Sequence, residues 1–337
     1  ETFLPYNPHF EWRPFDYSNG AAVHLHHITS ASGSQLFAPS AGAVRWLRLF
    51  SMIFGALTIW GTFLIGQVIF PQRPRLALLA AAFVAIHPTL LGISATLHND
   101  ILVTLLTTFS LLWMVCYLER DRFPQVASRW GLIGIGLLLS MAILTKLSGL
   151  ILAPMMGATL LIAGLQTKRW RQIFWDGGII LLIVCLLAGW WYLRNLLTYR
   201  SPLPLSNVMQ QIFPHVYRTE AYTFGLFRAE FLRQSYETFW GAFGYNHLLI
   251  PLEWTAQLWR ILVIILFLGV AWLLWRQFVA AKKESITADR DQIIRRQLLL
   301  LGLTILLTFL SVAQLSISMR GAGQARYYLP ALPPLAV

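Results

Sequence analysis

Charge is what this sequence has least of. Asp, Glu, Lys and Arg make up 12% of its 337 residues, about half the roughly 25% of a soluble domain. Acidic residues are scarcer than basic ones, 14 against 26, for a net charge of +12. The cations gather in short connecting segments and form no basic stripe interleaved with exposed aromatics, so no nucleic-acid partner is expected. The positive balance suits contact with membrane lipids that carry anionic heads. Cysteine is nearly absent: Cys116 and Cys185 both lie inside apolar runs, with neither a disulfide pattern nor metal-type spacing. Apart from His87, no apolar run has an ionisable residue near its middle. Proton- or ion-coupled transporters need such groups at mid-depth, and channels need a polar lining. The start, Glu1-Thr2-Phe3, shows neither an initiator methionine nor a signal peptide. We therefore read the chain as a window of a longer protein, with an earlier span expected upstream.

What is present is hydrophobic: 57% of residues, with a mean hydropathy of +0.60. The expected fold class is all-α, a polytopic transmembrane helical bundle with extracytoplasmic loops and interfacial helices. Residues 1–44, polar, aromatic and rich in Pro, Gly and Ser, read as an extracytoplasmic segment. Eight spans are predicted, at 47–70, 76–96, 100–118, 130–146, 149–165, 174–194, 258–276 and 297–316, each near the about 20 residues a bilayer requires. Leu332 to Val337 reads as the start of a further span. One alternating set of loops holds Arg73 and Arg75, then Arg120, Arg122 and Arg129, then Lys168, Arg169 and Arg171, then Arg276 to Arg296. That set is cytoplasmic by the positive-inside rule. The other set faces outward: the His98-Asn99 corner, the Lys146 to Ser148 corner, segment 195–257 and residues 317–327. Within 195–257, Phe224, Phe227, Phe231, Tyr236, Phe239 and Trp240 recur at helical spacing, with Arg228, Glu230, Arg233, Gln234 and Glu237 between them. This predicts an amphipathic helix, either lying on the outer leaflet or packed on the outer ends of the spans.

Leu97-His98-Asn99-Asp100 is the polar break between two apolar runs. Asp100 reads either as a carboxylate that takes a proton or holds a metal or a hydroxyl, or as part of an N-cap in which Asn99 or Asp100 opens the following helix. His98 either orients substrate or is solvated. Lys146, the only cation in its outer corner, either pairs with a lipid phosphate or marks a helix end. Arg194 follows Trp190-Trp191-Tyr192-Leu193, so an aromatic-belt anchor and a phosphate grip are both open. Arg326, in Gln324-Ala325-Arg326-Tyr327-Tyr328, invites the same two readings. His24, His26 and His27 form a cluster without a completing Cys or carboxylate. His87-Pro88 predicts either a kink or a helix that leaves the membrane core early.

Several motifs together resemble a known family. His87-Pro88, Ser94 and Asp100 look like the second outer-loop pattern of the GT-C superfamily of membrane glycosyltransferases, in the branch of protein O-mannosyltransferases and aminoarabinose transferases. Leu144-Thr145-Lys146-Leu147-Ser148-Gly149, followed by Pro154, resembles its next outer corner. Trp191-Tyr192-Leu193-Arg194-Asn195 with Ser201-Pro202-Leu203, Phe239-Trp240-Gly241-Ala242-Phe243-Gly244, and Arg326-Tyr327-Tyr328-Leu329-Pro330 are similar to later segments, in the family's order. Where many relatives carry a charged residue after the serine, this chain has Ala95.

The resemblance implies an inverting glycosyltransferase. Its donor is a polyprenyl-phosphate-linked sugar, its acceptor a lipid, glycan or protein, and its active face extracytoplasmic. The resemblance maps Asp100 to the second-loop acid, which helps hold substrate or metal, and places Lys146, Arg194 and Arg326 where the carrier's phosphate is bound; with these we expect Asp100 and His98 to be catalytic and Asn99, Lys146, Arg194, Asn195, Arg326 and Tyr327 to bind substrate. It places the family's first-loop base upstream of this chain, since Asp16 lies outside the expected acidic motif. It fixes no cofactor and leaves room for a divalent cation at Asp100. The rivals are a transporter or flippase of lipid-linked glycans and a non-catalytic membrane scaffold.

Overall fold

The computed structural model describes residues 41–203, 217–218, 221–240, 242–243, 248–249, 257, 261, 264, 268–269, 288–320 and 322–337. The histidine cluster at 24–27, Asp16, nearly all of the 1–44 segment and all but isolated positions of the predicted span 258–276 lie outside these residues. The chain divides into two compact units, Glu1–Leu47 and Arg48–Val337. Of the first, only the opening turns of a helix are described.

The protein is an all-α helical bundle. Among the described residues, five helices are long and apolar enough to cross a membrane, or six if one bent pair is a single span. Helix α1 is Ala41–Ile69. It is followed by α2 (Pro74–Ile86) and α3 (Pro88–Ser94), which form the bent pair, angled at 61°. Here the sequence left open a kink or an early exit, and the structure shows a break. Pro88 has no N–H to give and its ring excludes helical backbone for the residue before it. His87 accordingly sits extended at φ −68° and ψ 119°. Its ring is buried, with the Phe239 ring centroid 4.4 Å away.

Helix α4 (Asn99–Leu118) is the axis of the bundle and is buried on nearly every side. A helix apolar all round can be buried only inside a bundle or in lipid. Leu111, Met114 and Val115 of α4 share one core with Ile65 of α1 and with Ile135, Met155 and Leu300 of later helices. Those later helices are α5 (Arg129–Thr145), α6 (Leu152–Thr167), α7 (Trp170–Val184), α8 (Trp190–Tyr199) and, further along the chain, α11 (Ala288–Ser318). A π turn at Cys185–Gly189 joins α7 to α8, so that Trp170–Tyr199 runs as one span. Helix α5, with 17 residues, is apolar but below membrane length.

Between α8 and α11, α9 (Phe224–Leu226), a π turn (Phe227–Leu232) and α10 (Arg233–Trp240) run on as one helical stretch. It packs on the bundle: Phe231 is buried and meets Phe309 of α11 edge-on at 5.7 Å. A two-residue ladder pairs Ala242–Phe243 with Leu248–Leu249. The last elements are a 3-10 helix, Ala325–Ala331, and α12 (Leu332–Ala336).

Candidate active site

The site forms where three corners of the bundle meet. The first is the start of α4. The cap of this helix differs from the sequence expectation: His98, not Asn99 or Asp100, occupies the N-cap position, with extended backbone. Asp100 falls inside the first turn, where the helix dipole favours a negative charge. Its side chain is 2% exposed. Asn99 Nδ2 donates to the Thr145 carbonyl at 3.4 Å, tying this corner to the end of α5.

The second corner follows α5. Lys146 leaves the helix in extended backbone, φ −159° and ψ 147°, before a 3-10 turn over Leu147–Ile151. Gly149 makes this reversal feasible, because a Cβ there would lie 2.3 Å from the Ala142 carbonyl oxygen. The turn aims the Lys146 ammonium at Asp100 Oδ1, and the two form a salt bridge.

The third corner is the 3-10 helix that carries Arg326 and Tyr327. Arg326 Nη1 lies 3.1 Å from His98 Nε2, and Nη2 donates to the Tyr327 hydroxyl at 3.3 Å. Both cations lie over the Tyr327 ring, with Lys146 Nζ 4.7 Å and Arg326 Cζ 5.1 Å from its centroid.

These contacts assign the His98 tautomer. A guanidinium only donates, so Nε2 must accept and carries no proton. The ring proton is then on Nδ1, which lies 2.7 Å from Asp100 Oδ2 and donates to it. Nδ1 is also 3.3 Å from the Asp100 amide. A nitrogen that already donates cannot accept there, so the shorter carboxylate contact is the real bond. Both carboxylate oxygens are thus engaged, one by an ammonium and one by a neutral imidazole. With Asp100, Lys146 and Arg326 charged, the cluster holds a net charge of about +1, the sum of the ordinary charges of its groups.

A divalent cation does not fit this arrangement. Among the described residues no three His, Cys, Asp or Glu side chains gather. The one carboxylate is flanked by two fixed cations, whereas hard cations need several oxygen ligands.

Arg194 and Asn195 stand apart. The Arg194 guanidinium lies over its neighbour Trp191, 5.2 Å from the ring centroid, as an aromatic-belt anchor would. Asn195 is buried. Helix α8 reaches this end of the bundle through the Tyr192 hydroxyl, which donates to the Ile143 carbonyl at 3.3 Å. Among the described residues no contact joins either side chain to Asp100. Beside the third corner, an apolar cavity of about 260 Å³ is lined by Tyr236, Phe239, Ile305, Phe309, Tyr328 and Leu332, with others. The charged site residues do not line it. Tyr328, the neighbour of Tyr327, is where the two meet.

At the far end of α4, a second polar group went unread in the sequence. The Tyr117 hydroxyl donates to Asp176 Oδ2 at 2.5 Å, Arg120 Nη2 donates to Thr167 at 2.9 Å, and Gln297 Nε2 donates to Glu119 at 3.0 Å. Asp176 could have been noticed as an acid in an apolar run. Its tyrosine partner, on another helix, could not.

Residues 33–191 match the family model for dolichyl-phosphate-mannose-protein mannosyltransferase. They form a domain of that family, a branch of the GT-C superfamily. The chain is accordingly a multi-pass membrane protein that carries a domain of a glycosyltransferase family. The GT-C domain as matched contains Asp100 and Lys146 and ends before Arg194 and Arg326. No curated protein and no solved structure matches the chain.

Proposed function

We propose that the protein transfers a sugar from a polyprenyl-phosphate-linked donor to an acceptor hydroxyl at the extracytoplasmic face. One observation carries this reading: Lys146 and Arg326 both lie over a single aromatic ring beside a buried carboxylate that pairs with Lys146. The donor is a phosphodiester with one negative charge, which the cluster's net charge of about +1 complements. As the bond from anomeric carbon to phosphate oxygen breaks, negative charge grows on the departing phosphate. Fixed cations aimed at that oxygen lower the barrier, because their attraction is greatest in the transition state. The acceptor hydroxyl attacks the opposite face of the sugar, and its proton passes to a carboxylate general base. In-line attack inverts the anomeric centre. Asp100 holds Lys146 and His98 in the resting site, and Lys146 and Arg326 turn to the phosphate when the donor binds. The apolar cavity behind Tyr328 suits the first part of the isoprenoid tail. The orientation rests on the cation-rich loops at the opposite end from Asp100.

The test measures consumption of a polyprenyl-phosphate sugar by the full chain in proteoliposomes. Wild type should release polyprenyl phosphate, and Asp100→Ala and Lys146→Ala should each lower turnover about 100-fold or more. Unchanged turnover in both variants would remove the site. Movement of intact lipid-linked sugar across the bilayer without release of polyprenyl phosphate would favour a flippase.

A further inference from the structure

The corner that carries Arg326 is held by one face of the 224–240 helix, through three residues spaced i, i+1 and i+4. Gln234 Oε1 accepts the Gly323 N–H at 3.1 Å. Ser235 and Tyr328 share a hydroxyl contact at 2.9 Å. Thr238 Oγ1 accepts the Ala325 N–H at 2.7 Å while donating its own proton to the Gln234 carbonyl at 2.7 Å. The backbones approach closely enough that a Cβ on Gly323 would lie 2.8 Å from the Phe231 carbonyl oxygen.

Thr238 has the most partners of the three. It is 5% exposed. Ala325 opens the 3-10 helix that presents Arg326, and the residue before it, Gln324, supplies no side-chain cap. The hydroxyl of Thr238 therefore does from another segment what an N-cap normally does locally. The Thr238 carbonyl in turn accepts the Thr89 hydroxyl at 2.9 Å. Thr89 belongs to α3, which leads through Ala95, Thr96 and Leu97 into His98. One residue thus joins the segment that presents Arg326 to the segment that presents His98, the two groups that meet at 3.1 Å.

We propose that Thr238 is a positioning residue that sets Arg326 against His98 and, through the His98 tautomer, fixes the orientation of Asp100. Its effect on turnover rests on the glycosyl-transfer reading above; its effect on His98 does not. Two measurements on the full chain test it. In 15N-histidine-labelled protein, with His98 assigned by signal loss in His98→Asn, wild type should show the Nδ1–H tautomer. Thr238→Val, which keeps the shape and loses the hydroxyl, should give a tautomer mixture, and Thr238→Ser should restore the wild-type signal. In the donor assay, Thr238→Val should lower turnover about 10- to 100-fold, as a small misplacement of a charge-stabilising group does, and Thr238→Ser should retain most of it. In an Arg326→Ala background, Thr238→Val should cost little more, because its effect runs through the missing guanidinium. An unchanged His98 signal in Thr238→Val overturns the proposal. So does a turnover loss that multiplies in full with that of Arg326→Ala. Absence of turnover in wild type would instead strike the glycosyl-transfer reading and leave the histidine measurement to decide.

Discussion

A carboxylate buried as deeply as Asp100 persists as an ion only when its charge is met at short range. Here Lys146 meets one oxygen and His98 the other. Removing one member of such a pair leaves a buried charge alone, at a cost of about 3–5 kcal/mol, whereas replacing both by apolar groups is often close to neutral. Lys146→Met should therefore destabilise the protein toward the lower end of that range, since the lysine side chain is 19% exposed and water partly screens it. Asp100→Leu/Lys146→Met should recover much of the loss in a denaturation series in detergent, although activity stays lost. Tyr328 gives a second prediction. Burial pushes its phenol up to about 12, with the Ser235 contact opposing. The folded group thus keeps its proton above the ordinary tyrosine value near 10. The folded state binds more protons than the unfolded state between those values, so stability should fall as pH rises from about 10 to about 12. Tyr328→Phe should flatten that slope in melts recorded against pH.

At the scale of elements, the site depends on helices that stop rather than on helices that continue. Pro88 breaks α2 from α3, α4 starts only after His98, whose backbone is extended, and Lys146 ends α5 in extended backbone. Each stop turns a polar side chain toward the same end of the bundle. The tightest of these is the reversal at Gly149. A methyl placed 2.3 Å from the Ala142 carbonyl must push the turn away, a form of overpacking that costs about 1–3 kcal/mol. Gly149→Ala should lower the melting temperature and, by moving Lys146, lower donor turnover more than a distant substitution of equal thermal effect. The comparison of melting curves with initial rates separates the two.

At the scale of the whole molecule, α4 joins two polar ends through an apolar interior. Asp100, His98, Lys146 and Arg326 lie at one end; Glu119, Arg120 and Asp176 lie at the other, beside the turn at Lys168 and Arg169. The cation excess at the second end predicts that it faces the cytoplasm. In a Cys185→Ser background, Thr96→Cys should react with a membrane-impermeant maleimide in intact cells. Lys168→Cys should react only after permeabilisation. The reverse pattern would turn the active face inward and remove the extracytoplasmic assignment.

The residue pattern alone made this an α-helical membrane protein, because hydropathy, span length and loop charge are written along the chain and need no partner to be read. It also marked the corners at Asp100 and Lys146, where an apolar run ends in an isolated charge. It left three points open that folding decided. His98 takes the N-cap position of α4, and its ring is met by an arginine 228 residues away. Lys146 turns to a carboxylate 46 residues earlier rather than to water. Arg194 stays with Trp191 while Arg326, alike in sequence context, enters the site. The physical reason is the same in each case. A side chain's local pattern sets where along the bundle it sits, but its partner is set by which distant backbone the packing brings within about 3 Å, the reach of a hydrogen bond.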